Sequence, residues 1–191
     1  MADGRMINLR SSWRFGLLAL AVLVADQLSK LWVVRHLASR DSLTVVPGFA
    51  QFIRVENTGV VFGLMAGGAG WRPWVVLGLP LLLLPLLAWL LFSARRPIER
   101  WSYALILGGA LGNLSDRVRF GHVVDFIDVY LAGGGGEHHW YTFNLADSAI
   151  CIGAGLMAVS LWRAPAHVPA IGQPQRHEDT KDRENSHVKV V

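Results

Sequence analysis

The chain is 191 residues long, 52% hydrophobic and only 17% charged, with a formal net charge of +4. Soluble domains carry roughly 25% charge, so this is not a soluble enzyme, a largely disordered chain or a coiled coil, and the single cysteine, Cys151, excludes an intramolecular disulfide framework. The basic residues form no stripe that would follow a phosphate backbone, which argues against nucleic acid as a partner; what remains is an all-α membrane protein with several spans.

The elements are predicted in chain order as follows. Residues 1–12 form a short arginine-bearing N-terminus. The first span covers about 13–37; its apolar run ends in Asp26-Gln27-Leu28-Ser29-Lys30 and not in a small-residue cleavage site, so it is read as a retained helix and not a removable leader. Residues 41–70 make an outer loop rich in β-branched and aromatic residues, with turn signals at Pro47-Gly48 and Asn57-Thr58-Gly59. Within it Ile53 and Val55 alternate with Arg54 and Glu56, as in a half-buried strand, and a small sheet resting on the membrane surface is expected.

The second span, about 72–94, has no charge from Pro73 to Ala94, about 33 Å of helix. Pro80 and Pro85 predict a bend in it. The third span, about 101–119, ends in Asn113, Asp116 and Arg117, and its Gly108, Gly109 and Gly112 are read as a close-packing face. An outer loop, 120–141, follows; its four glycines, Gly133 to Gly136, are read as a flexible segment. The fourth span, about 142–162, opens with Asn144 and Asp147, and residues 163–191 form a polar tail expected to be disordered. Residues 13–162 thus form one membrane domain of four transmembrane helices with a small outer sheet.

Orientation follows from lysine and arginine. Arg5, Arg10 and Arg14, Arg95, Arg96 and Arg100, and the basic residues from Arg163 onward share one side, which places both termini in the cytoplasm. Each polar intramembrane residue then falls near the outer face: Asp26 high in an outgoing helix, Asn113, Asp116 and Arg117 at the end of another, Asn144 and Asp147 at the start of an incoming one. Asp26 with Lys30, Asn113 with Asp116, and Asn144 with Asp147 each share a helix face by spacing. Polar contacts serving structure alone would not favour one leaflet, so a site is preferred.

Asp26 with Lys30 is most simply an internal ion pair, and Asp116 beside Arg117 has a similar reading. Asp125 and Asp147 have no basic residue at helical spacing. Two such carboxylates brought close cannot both ionise near neutral pH, and sharing a proton makes them a general base and a general acid around one water. His122, His138 and His139 with Asp125 and Asp128 lack a recognised metal-ligand spacing, so neither a metal nor another cofactor is expected. The alternative is a proton or ion carrier using the same carboxylates, which would need polar residues through both leaflets.

Five blocks resemble the lipoprotein signal peptidase (signal peptidase II) family: Asp26-Gln27-Leu28-Ser29-Lys30, Asn57-Thr58-Gly59-Val60-Val61-Phe62-Gly63, the run from Gly108 to Arg117, Gly121-His122-Val123-Val124-Asp125-Phe126, and Phe143-Asn144-Leu145-Ala146-Asp147-Ser148. They come in the family's order over about residues 13 to 162. The resemblance implies an aspartyl endopeptidase of the bacterial inner membrane. It would have both termini cytoplasmic and its active site near the periplasmic face, and would remove the signal peptide of a prolipoprotein just before the diacylglyceryl-modified cysteine. It assigns catalysis to Asp125 and Asp147, substrate binding or support to Asn57, Gly59, Asn113, Arg117, Asn144 and Ala146, and architecture to Asp26, Lys30 and Asp116. The expected partners are lipidated prolipoproteins and membrane phospholipid, with a monomeric enzyme. Val60-Val61, Ser115, the Gly133 to Gly136 segment and the tail depart from the family's pattern.

Overall fold

The computed structural model describes residues 9–39, 41–59, 72–133 and 135–163. Helices α1 (Leu9–His36), α2 (Arg72–Ser93), α3 (Pro97–Phe120) and α4 (Leu145–Trp162) are joined by strands β1 (Ser42–Val46), β2 (Ala50–Asn57), β3 (Val123–Gly133) and β4 (Gly136–His139). By length and composition, Trp13–His36 and Leu145–Trp162 suffice to cross a membrane, and Leu77–Ser93 is a shorter apolar helix. Helix α2 runs through Pro80 and Pro85 without ending. Large apolar side chains such as Leu28, Leu82 and Trp89 remain exposed along the helices, as expected where the surroundings are hydrocarbon and not water.

Helix α3 lies at the centre, packed against α4, α1 and α2. Its glycines make this possible. A Cβ at Gly108 would sit 2.5 Å from the Ala19 carbonyl of α1, one at Gly109 would overlap the Ala146 carbonyl of α4, and one at Gly112 would sit 2.5 Å from Asp26 Oδ2. Gly153 of α4 returns the favour at the other end of the interface, where its carbonyl accepts from the buried Ser102 hydroxyl at 2.7 Å. The close-packing reading of these glycines agrees with this geometry, because small residues let backbones approach where water cannot drive association.

The sheet is antiparallel in the order β1-β2-β3-β4. It is larger than the sequence indicated, because the segment read as a loop over the site is mostly strand. Of the glycines read as a flexible segment, Gly133 pairs with Gly136 at the end of the β3–β4 hairpin, and Gly136 has φ +123°, open to glycine and few other residues, whereas Gly134 lies outside the described residues. One face of β3 carries Phe126, which joins Val33 of α1 and Leu37 just beyond its end in a small apolar core with Phe52 beside it. Alternation therefore turns Asp125 to the opposite face. Gly121, at φ +77°, caps α3 with its N–H on Arg117 O and turns the chain into β3.

Candidate active site

Asp125 is 2% exposed on β3. In the β2–β3 register it faces Val55, and Asn57 faces Val123; Asn57 is thus its diagonal neighbour on the same face, within reach of a side-chain bond. The Asn57 amide donates to Asp125 Oδ2 at 2.9 Å, and its own oxygen accepts from the Gly59 N–H at 2.9 Å. Gly59 has φ +78°, so the turn that holds Asn57 needs a residue tolerant of the left-handed region.

Asp147 stands at the third position of α4, where Asn144 is the N-cap. The two form a reciprocal box: Asp147 N–H donates to Asn144 Oδ1 at 2.9 Å, and Asn144 N–H donates to Asp147 Oδ2 at 3.3 Å. The Asn144 amide nitrogen is then free to donate outward, to Asp125 Oδ1 at 2.7 Å and to Asn113 Oδ1 at 3.1 Å. Asn113 completes the circuit by donating to Asp147 Oδ1 at 2.7 Å. The two carboxylates thus come from a strand and a helix end, and a pair of buried asparagines connects them. Neither enters an ion pair among the described residues.

Asp125 is held above the ordinary carboxylate range, first by burial and also by the charge of Asp147; the bonds from Asn57 and Asn144 and the more distant Lys30 pull the other way. Arg117 is within electrostatic reach of Asp147, Asp125 and Asp116, and its buried Nε has no hydrogen-bond partner among the described residues. A cleft of about 370 Å³ opens at Asp125, lined by Asn57, Thr58, Trp140, Tyr141 and Thr142 among others. Trp140 and Tyr141 are largely exposed at its rim.

Beneath this layer lies a buried charge cluster. Lys30 is 2.8 Å from both Asp26 Oδ2 and Asp116 Oδ2, and its third contact is Asn113 Oδ1 at 3.0 Å. The pairing of Asp26 with Lys30 is as read from spacing. That of Asp116 with Arg117 is corrected: Asp116 takes Lys30, the Gln27 amide at 2.8 Å and the Val124 N–H at 3.2 Å instead. Ala146 is wholly buried, and its N–H, one of the unpaired donors of the first turn of α4, donates to Asp26 Oδ1 at 2.9 Å.

The three histidines do not converge. His122 lies 3.9 Å from Glu56, whereas the His139 Nδ1–H donates to the buried Asp128 carboxylate at 2.8 Å and its ring stacks on Tyr130. Among the described residues no group of three or more His, Cys, Asp or Glu side chains has a metal-binding arrangement. Sequence reasoning missed Gln27, which binds Asp26 and Asp116, and the pairing of Asp128 with Gln51 at 2.8 Å. Gln27 lies between Asp26 and Lys30, and its polarity in an apolar helix is the available signal. Gln51 and Asp128 are far apart in sequence and become opposite neighbours only through the strand register.

Comparison with known proteins gives a consistent result. A family described as signal peptidase (SPase) II matches residues 18–163. The lipoprotein signal peptidase of Syntrophotalea carbinolica is 41% identical over 150 residues, which covers 77% of this chain and 89% of the relative. That of Yersinia enterocolitica is 38% identical over 158 residues, covering 82% and 90%. Among solved structures, a bacterial membrane enzyme determined by the in meso method at 1.9 Å superposes with a TM-score of 0.69 at 27% identity, over 82% of this chain and 96% of that one.

Proposed function

The chain belongs to the signal peptidase II family, and on that premise we propose that Asp125 and Asp147 are its catalytic pair, acting on a lipidated prolipoprotein just before the modified cysteine. The enzyme is an aspartic endopeptidase of the membrane that removes signal peptides from prolipoproteins. The observation that carries the assignment of residues is the asparagine bridge: two carboxylates that enter no ion pair among the described residues, oriented toward one another's surroundings by Asn113 and Asn144.

In the proposed reaction a water held by the pair attacks the carbonyl carbon preceding the cysteine. One carboxylate takes the water's proton, and the other, protonated, donates to the carbonyl oxygen. The tetrahedral intermediate then collapses, the C–N bond breaks, and the amine of the lipidated cysteine leaves with a proton from the pair. Asp125 is the better partner to hold the proton at the start, since burial and the neighbouring charge favour its neutral form. Arg117, whose buried Nε has no partner among the described residues, is left to take an oxygen of the substrate backbone. Asn57 and Gly59 fix the wall beside Asp125, and the cleft bounded by Trp140 and Tyr141 receives the chain.

All four helices cross the bacterial inner membrane in this reading, with residues 1–12 and 163–191 in the cytoplasm and the sheet and active site near the periplasmic face. Support comes from the positive excess on one side and from the location of Asp26, Asn113, Asn144 and Asp147 toward one end of the bundle. Membrane phospholipid surrounds a monomer. The named relatives are lipoprotein signal peptidases and give the carrier alternative no support.

Cleavage of a purified lipidated precursor in detergent tests the assignment. Asp125→Asn and Asp147→Asn should each lower turnover by orders of magnitude, and the double variant should be little worse than either, as for residues that act as a unit. Substantial cleavage by either single variant would falsify the pair.

A further inference from the structure

The end of the bundle opposite the carboxylates carries a second cleft, of about 440 Å³, between the last turns of α2 and α4 and the first turn of α3. Its wall is apolar: Trp89 and Leu161 line it and are 63% and 68% exposed. Its rim is basic. Arg96 donates through Nη1 to Ser160 O at 3.2 Å, covering a carbonyl that the end of α4 cannot satisfy internally, yet its side chain remains 42% exposed. Arg95 is exposed and enters no hydrogen bond or ion pair among the described residues. Glu99 is the acidic residue of the lining; it is engaged by the Arg96 N–H at 3.5 Å and the Ser160 hydroxyl at 3.4 Å, and its carboxylate also lies 4.0 Å from Arg96 Nε, so Arg95 supplies the uncompensated charge. The positive end of the α3 dipole adds to the excess.

A greasy slot that leads to a cationic rim at a bundle end matches an amphiphile with an anionic head. We propose that this cleft binds an anionic phospholipid, with its phosphate on Arg95 and Arg96 and the upper part of an acyl chain against Trp89 and Leu161. Basic pockets between helices on the cytoplasmic side are suited to such headgroups. The proposal rests on the membrane placement given above, under which this end lies at the inner leaflet. It is far from the scissile bond and plays no part in the acid–base chemistry. A free phosphate would use the arginines but leave the apolar wall idle.

The test uses the full chain in detergent micelles, titrated with phosphatidylglycerol, with phosphatidylcholine of the same acyl chains, and with inorganic phosphate. Thermal midpoint and lipid retention in native mass spectrometry are read together. Phosphatidylglycerol should be retained and should raise the midpoint, while the other two should do neither. Arg95→Gln, at an exposed residue without partners in the described fold, should weaken the titration roughly fivefold, and Trp89→Ala should weaken it with the charge unchanged. Equal stabilisation by both lipids, a full shift with phosphate alone, or wild-type titrations for both variants would overturn the site. None of these outcomes depends on which side of the membrane the cleft faces, which reporter fusions decide separately.

Discussion

An asparagine amide has a donor end and an acceptor end, and in this site each is assigned by its neighbours. Lys30 can only donate, so it fixes Asn113 Oδ1 and turns the Asn113 nitrogen toward Asp147. The Gly59 N–H does the same for Asn57, whose nitrogen then meets Asp125. That bond favours the charged carboxylate, so Asn57→Ala should raise Asp125 further. If Asp125 carries the proton, activity falls as pH rises through its ionisation, and the alkaline limb of kcat/KM in Asn57→Ala should move upward by about one pH unit; a limb that stays or moves down removes Asp125 as the acid. The charge cluster below has an asymmetric weakness. Asp26→Asn leaves Lys30 with Asp116, whereas Lys30→Met leaves two buried carboxylates facing each other. Loss of one partner from a buried pair costs roughly 3–5 kcal/mol, so Lys30→Met should yield much less folded protein than Asp26→Asn in size-exclusion profiles at equal expression. Sequence spacing identified Asp26 with Lys30 because four residues make one helix turn. It misassigned Asp116 because adjacent residues such as Asp116 and Arg117 point to different faces of a helix.

The long apolar runs made the helices legible, and hydrophobic spacing needed nothing from the rest of the chain. The β3–β4 hairpin was illegible for the opposite reason. Glycine tolerates both a loose segment and a tight strand connection, and only the pairing of Tyr130 with His139 and Gly133 with Gly136 decides between them. Asp125 was found as a lone carboxylate, but its place on a strand, beside Asn57, required the β2–β3 register. The glycines of α3 could be read directly, since small residues at close spacing have few other uses in such a helix. At Gly109 any side chain would meet the Ala146 backbone and Ile150. Gly109→Val should therefore push α4 away from α3 and displace Asn144 and Asp147 together. We expect it to lose cleavage along with thermal stability, in contrast to Asp125→Asn, which should lose cleavage alone. Differential scanning fluorimetry beside the cleavage assay distinguishes the two patterns.

At the scale of the whole molecule the carboxylates, the sheet and the hairpin gather at one end of the bundle, and the arginine-rich turns at the other. Reporter fusions should accordingly read the C-terminus as cytoplasmic and an insertion at Gly135 as periplasmic; a periplasmic C-terminus would reverse the placement. The contact between Asp26 and the Ala146 N–H ties α1 to α4. In synthesis α1 precedes α4 by more than 100 residues. Until α4 emerges, Asp26 Oδ1 lacks the donor it will finally have, and Asn113 lacks Asn144. A chain stopped before α4 therefore leaves one oxygen of a buried carboxylate in α1 without its final donor.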